Sequence, residues 1–80
     1  MGIIKIKSDA ANTIGSNLRQ MRLRKGIGQT DLARCVTERG VSLSRESLVK
    51  IEHGTQHITL SQLNAMREIL DCSYTDLLGE

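Results

Sequence analysis

Arg45, Glu46, Val49, Lys50 and His53 lie close together in the stretch SRESLVKIEHG. At about 100° per residue in a helix they share one side, with Arg45 at its leading edge. Leu48 and Ile51 take the other side. The outer set has the donors and acceptors that meet base edges. Arginine or lysine pairs with guanine O6 and N7, and a carboxylate accepts from cytosine N4. Taken alone, the pattern fits an ordinary solvated helix face better, with Glu46 and Lys50 as an i, i+4 ion pair.

Other chemistry finds less support. Cys35, Cys72, His53 and His57 have ligand-type side chains, but no pair has the short Cys-x-x-Cys spacing of a structural zinc site. They read as packing cysteines and polar surface histidines, so no metal is expected. The chain has no nucleophile–base pair, no paired carboxylates and no phosphate-cradling glycine run, which argues against an enzyme. No cofactor or small-molecule ligand is expected. Two thiols without a disulfide framework point to a reducing compartment. The N-terminus lacks the apolar run of a signal peptide or membrane span, so the expected site is cytoplasmic, away from membranes.

The elements that must position the outer set are short helices. From Gln29, Leu32, Ala33 and Val36 mark a packed helical face, and Gly40 is a natural stop. Ser44 is a good N-cap for the next helix, 44–53, which ends at Gly54. Upstream, a helix starts near Asn12 or Thr13 and runs to Lys25, with Ile14, Leu18 and Met21 as its stripe. Gly26 and Gly28 turn the chain into the second helix. Thr59 caps a fourth helix with the stripe Leu60, Leu63, Met66, Ile69 and Leu70, ended by Asp71. Ser73 caps a last short helix whose Leu77 and Leu78 serve as a core lid or a dimer contact.

These 80 residues make one small domain: an N-terminal arm, 1–11, followed by an all-α, five-helix body, 12–80. The arm's apolar and basic Ile3 to Lys7 reads as a disordered segment, an edge strand or an arm along a DNA backbone. Tyr74 is the only aromatic and proline is absent, which suits helices packed through aliphatic side chains. Without aromatic platforms for stacked bases, duplex is the better nucleic-acid partner. Charge is segregated. Residues 1–58 carry +5 and residues 59–80 carry −3, a basic front suited to phosphate and an acidic tail that is not.

The order of motifs resembles the lambda-repressor-like, or XRE-type (Cro/CI-like), helix-turn-helix family. The segments are IGSNLRQMRLRKGIGQTDLA, SRESLVKIEHG and TLSQLNAMREILDCSYTDLL, spanning Ile14 to Leu78. The resemblance implies sequence-specific binding to double-stranded DNA, usually as a homodimer, with the second motif helix in the major groove and the first across the backbone. It places base contacts on Ser44, Arg45, Glu46 and Lys50, with Ser47 and Val49 nearby. Ser44 and Ser47 also read as caps or surface hydroxyls, and Val49 as a thymine-methyl contact or simply an exposed apolar residue. Backbone contacts fall on Gln29, Thr30, His53, Thr55, Gln56 and His57. The resemblance also implies a structural ion pair between Arg22 and Glu52. One departure stands out. Thr37 to Val41 look like extra residues between the motif helices, so the second helix is expected to run about one more turn and stop at Gly40.

The resulting reading is a transcriptional regulator, a repressor, that binds duplex DNA as a homodimer. The alternative is a protein-interaction or antitoxin-like module of the same fold that acts mainly through a protein partner.

Overall fold

Hydroxyl side chains start three of the helices, as the sequence pattern expects. In a computed structural model, which describes residues 8–79 and side chains from residue 13 onward, Ser44, Thr59 and Ser73 each accept a hydrogen bond from a first-turn backbone N–H. The elements are α1 (Ser8–Arg24), α2 (Gln29–Glu38), α3 (Arg45–Glu52), α4 (Leu60–Leu70) and α5 (Tyr74–Leu78). All the described elements are helices.

α1 begins at Ser8, earlier than expected. Ala10 and Ala11 are strong helix formers, and they carry the helix back past Asn12 and Thr13 into what was expected to be the arm. The part of the arm from Ile3 to Lys7 lies outside the described residues.

The core is aliphatic throughout. Ile14 and Leu18 of α1 meet Leu32, Ala33 and Val36 of α2, Leu48 and Ile51 of α3, Leu63, Ala65, Met66 and Leu70 of α4, and Leu77 of α5. Leu77 is fully buried while Leu78 is half-buried, so the pair closes the core from one side. Leu60 departs from the expected stripe. As the first residue of α4 it is 46% exposed among the described residues.

α1 packs on α3 and α5, and α2 packs on α3 and α4. The α1–α3 crossing is close because of Gly15. A Cβ there would stand 2.1 Å from the Ile51 carbonyl oxygen. No side chain fits, so the two backbones touch and α3 is seated directly on α1.

The connection from α2 to α3 is longer than a simple turn. α2 ends at Glu38 with Arg39 as its cap, and Gly40 adopts φ +85, the left-handed conformation that favours glycine. Val41 N–H then returns to the Val36 carbonyl at 3.3 Å. Leu43, an isolated apolar residue, drops into the core with 5% exposure. The extra residues are thus a built connection with its own core anchor.

Candidate nucleic-acid interface

The outer face of α3 is open. Arg45, Glu46 and Lys50 are exposed, and Ser47 and Val49 are half-buried at its edges. The Glu46–Lys50 pair expected of a plain solvated helix does not form: the ion pairs among the described residues are Arg22–Glu52, Arg34–Asp31 and Arg39–Glu68. Two cations and a carboxylate therefore face outward on a helix fixed from behind by Leu48 and Ile51. Ser44 is exposed, and its oxygen accepts from Ser47 N–H at 3.0 Å. It acts first as a cap, with its own O–H still able to donate.

A buried ionic hub fixes the far end of α3. Arg22 Nε donates to Glu52 Oε2 at 2.8 Å and Arg22 Nη2 donates to Glu52 Oε1 at 3.0 Å, the bidentate fork that gives such pairs their geometric precision. Arg22 Nη1 also donates to the Ile27 carbonyl at 3.0 Å. Both residues are buried, at 6% and 7% exposure. The pair ties α1 to α3, and through Ile27 it also holds the turn into α2.

Gln29, expected as a phosphate contact, joins the same hub. Its Nε2 donates to Glu52 Oε1 at 3.1 Å. One amide N–H is thereby used, and the second, with the carbonyl oxygen, remains for a ligand. Thr30 is exposed beside it. α2 also differs from the helices with hydroxyl caps. Its N-cap is Gly28, with no side-chain bond to the first turn, so its leading N–H groups are open to an anion.

These groups border an open cleft of about 590 Å³ lined by Ser16, Arg19, Arg22, Gln29, Glu52 and His53. Ser16 and Arg19 were not among the residues singled out from sequence. They precede Arg22 at three-residue steps on α1, the spacing of one helix face, and that stripe is the signal that would have found them. Arg19 is exposed and brings a cation to the cleft mouth. His53 lies across from it, its Nδ1 2.8 Å from the Val49 carbonyl. Beyond it, Thr55 bonds back to the Lys50 carbonyl through its hydroxyl and its N–H, with Gln56 half-buried and His57 exposed on the same loop.

The expected sites therefore fall into two adjoining groups. One is the base-edge set on α3. The other is the backbone set around the start of α2 and the end of α3. A family model described as the Cro/C1-type HTH DNA-binding domain matches residues 17–79. The chain belongs to the Cro/C1-type helix-turn-helix DNA-binding family. In this Cro/C1-type domain α2 and α3 are the helix-turn-helix pair.

Known structures agree. The clp gene regulator ClgR from Corynebacterium glutamicum superposes with a TM-score of 0.75 at 26% identity, covering 86% of this chain and 68% of that one. The restriction-modification controller protein C.AhdI from Aeromonas hydrophila superposes with a TM-score of 0.75 at 25% identity, covering 89% of this chain and 98% of that one. In sequence, Antitoxin PezA from Streptococcus pneumoniae is 30% identical over 67 residues, 84% of this chain. This chain spans only 39% of that antitoxin's length. The chain thus carries a Cro/C1-type helix-turn-helix DNA-binding domain. Among its described residues, no helix is long and apolar enough to cross a membrane.

Proposed function

We propose that the protein is a sequence-specific repressor that binds double-stranded DNA as a homodimer, with α3 in the major groove. The observation that carries this reading is the outer face of α3. Arg45, Glu46 and Lys50 are exposed there, outside any ion pair among the described residues, on a helix held rigidly by the buried Arg22–Glu52 fork. Arg45 and Lys50 read guanine and Glu46 reads cytosine. Ser44, Ser47 and Val49 line the same face. Gln29, Thr30, His53, Thr55, Gln56 and His57 hold phosphates on either side and set the register. Repression follows from occupancy, since a protein seated on a promoter blocks it with no further surface.

Selection from random duplexes at two salt concentrations tests the reading. A consensus should emerge whose preference survives at the higher salt while affinity falls overall, because counterion release weakens all binding and base contacts carry the choice. A pool that remains random would end the proposal. A second reading has one observation behind it, the similarity to Antitoxin PezA over most of this chain. An antitoxin-like module would act mainly through a protein partner, and substitutions on α3 would then leave partner binding intact.

A further inference from the structure

Gln62 is the one buried polar residue of α4, at 9% exposure. Its carbonyl oxygen Oε1 accepts from Thr59 N–H at 3.0 Å, and Thr59 Oγ1 in turn accepts from Gln62 N–H at 3.1 Å. This reciprocal capping box forms with either glutamate or glutamine at its third helical position. The amide has a second bond that a carboxylate cannot make. Gln62 Nε2 donates to the Ser42 carbonyl at 3.0 Å, across 20 residues of sequence.

Ser42 lies in the connection leading into the recognition helix. Leu43, next to it, is buried in the core, and Ser44, next again, caps α3. The approach to α3 is thus gripped at successive residues by different means. Thr37 adds a third hold, its hydroxyl 3.1 Å from the Leu43 carbonyl. Arg39–Glu68 adds a further link to α4 at 2.8 Å, but both side chains are about half exposed and such pairs contribute little. Among the links from α4 to this connection, the Gln62–Ser42 bond is the one made by a buried side chain.

We propose that Gln62 is a positioning residue for DNA recognition. Through the Ser42 carbonyl it sets the angle at which α3 leaves the connection, and so which bases Arg45 and Glu46 reach. The inference rests on the reading of α3 as the base-reading element.

Gln62→Glu separates this role from helix capping. It keeps the acceptor for Thr59 N–H and loses the donor to Ser42. Ser61→Glu places the same charge on an exposed neighbour and leaves the donor intact. Affinities for the selected site and for a random duplex are measured by anisotropy, below the unfolding temperature of each variant. In Gln62→Glu, binding to the selected site should fall about tenfold and binding to random duplex about twofold, since a misaimed helix loses base contacts while phosphate contacts persist. Ser61→Glu should preserve the ratio. An unchanged ratio in Gln62→Glu, or an equal loss in Ser61→Glu, overturns the proposal. If the native protein itself does not distinguish the two duplexes, the regulator reading fails and this inference falls with it. If the native protein and Gln62→Glu both distinguish them equally, only this inference fails.

Discussion

Arg22 and Arg45 carry the same charge and do opposite work. Arg22 is spent on the protein, with N–H groups given to Glu52 and to the Ile27 carbonyl. Arg45 is exposed and makes no ion pair among the described residues. Their substitutions should therefore separate stability from recognition. Glu52→Ala leaves Arg22 buried beside no counter-charge and should cost roughly 3–5 kcal/mol in urea unfolding. A double substitution, Arg22→Met with Glu52→Leu, should recover much of that loss, because removing both charges removes the uncompensated one. A single Glu52→Ala that costs nothing would mean the fork is solvated. Arg45→Ala should leave unfolding nearly unchanged. It should weaken binding to the selected site by about 1–3 kcal/mol and relax preference at one base position. If it weakened random duplex equally, Arg45 would be a phosphate contact.

Two elements depend on details of this kind. The α1–α3 contact depends on Gly15. Alanine there would favour α1 by up to about 1 kcal/mol in helix propensity, yet its Cβ would meet the Ile51 carbonyl at 2.1 Å. Backbone cannot rotate aside as a side chain can, so the clash wins. Gly15→Ala should destabilise by about 1–3 kcal/mol or more, lowering the melting temperature by several degrees per kcal/mol. A stabilised variant would show that the two helices slide apart freely. α5 depends on its capping box. Asp76 Oδ2 accepts from the Ser73 backbone N–H at 3.0 Å while Ser73 Oγ accepts from the Asp76 N–H, and hydrogen bonding from Ser73, its backbone N–H first, holds the Asp76 carboxyl below the ordinary value of 3.8. A depressed folded-state pKa means the cap stabilises α5 above that ordinary value and loses its contribution as pH falls through the folded one. Asp76→Asn should flatten this acid dependence in a melting series between about pH 5 and 2, since the amide does not titrate there. Equal slopes would mean the ionised carboxylate does not support the cap. The sequence foretold the caps because serine and threonine stood just before apolar periods. It foretold the buried faces of α2 and α3 for the same reason. It did not reveal Leu43, which has no periodic neighbours, or Leu60, whose exposure depends on what lies opposite. Nor did it reveal the second bond of Gln62, whose partner is 20 residues away. The outward set on α3 was legible because helix geometry alone separates Arg45 and Lys50 from Leu48 and Ile51. The cleft with Ser16 and Arg19 was not, because it exists only once α1, α2 and α3 are packed.

At the scale of the molecule, α3 has eight residues, so in the proposed role it would present few side chains to a groove and a single copy would read a short stretch. The longest extent of the described residues, 28 Å, is shorter than one turn of duplex, about 34 Å. In the proposed dimer two copies would fit side by side on one face of DNA, each with α3 in successive major grooves. Such a pair doubles the bases read and adds the phosphate contacts of both copies. The charge distribution favours this arrangement. The basic part, residues 1–58, includes both α3 and the cleft beside it, while the −3 of residues 59–80 belongs to α4, α5 and their flanks. Footprinting of the selected site should thus protect two half-sites with centres about 34 Å apart on one face of the duplex, related by two-fold symmetry. Sedimentation of the complex should give two chains per duplex. Half-sites moved by about half a turn, roughly 5 base pairs, should lose the joint footprint, because the second groove then faces away. Protection of a single half-site at saturation, with one chain bound, would instead make the monomer the reading unit.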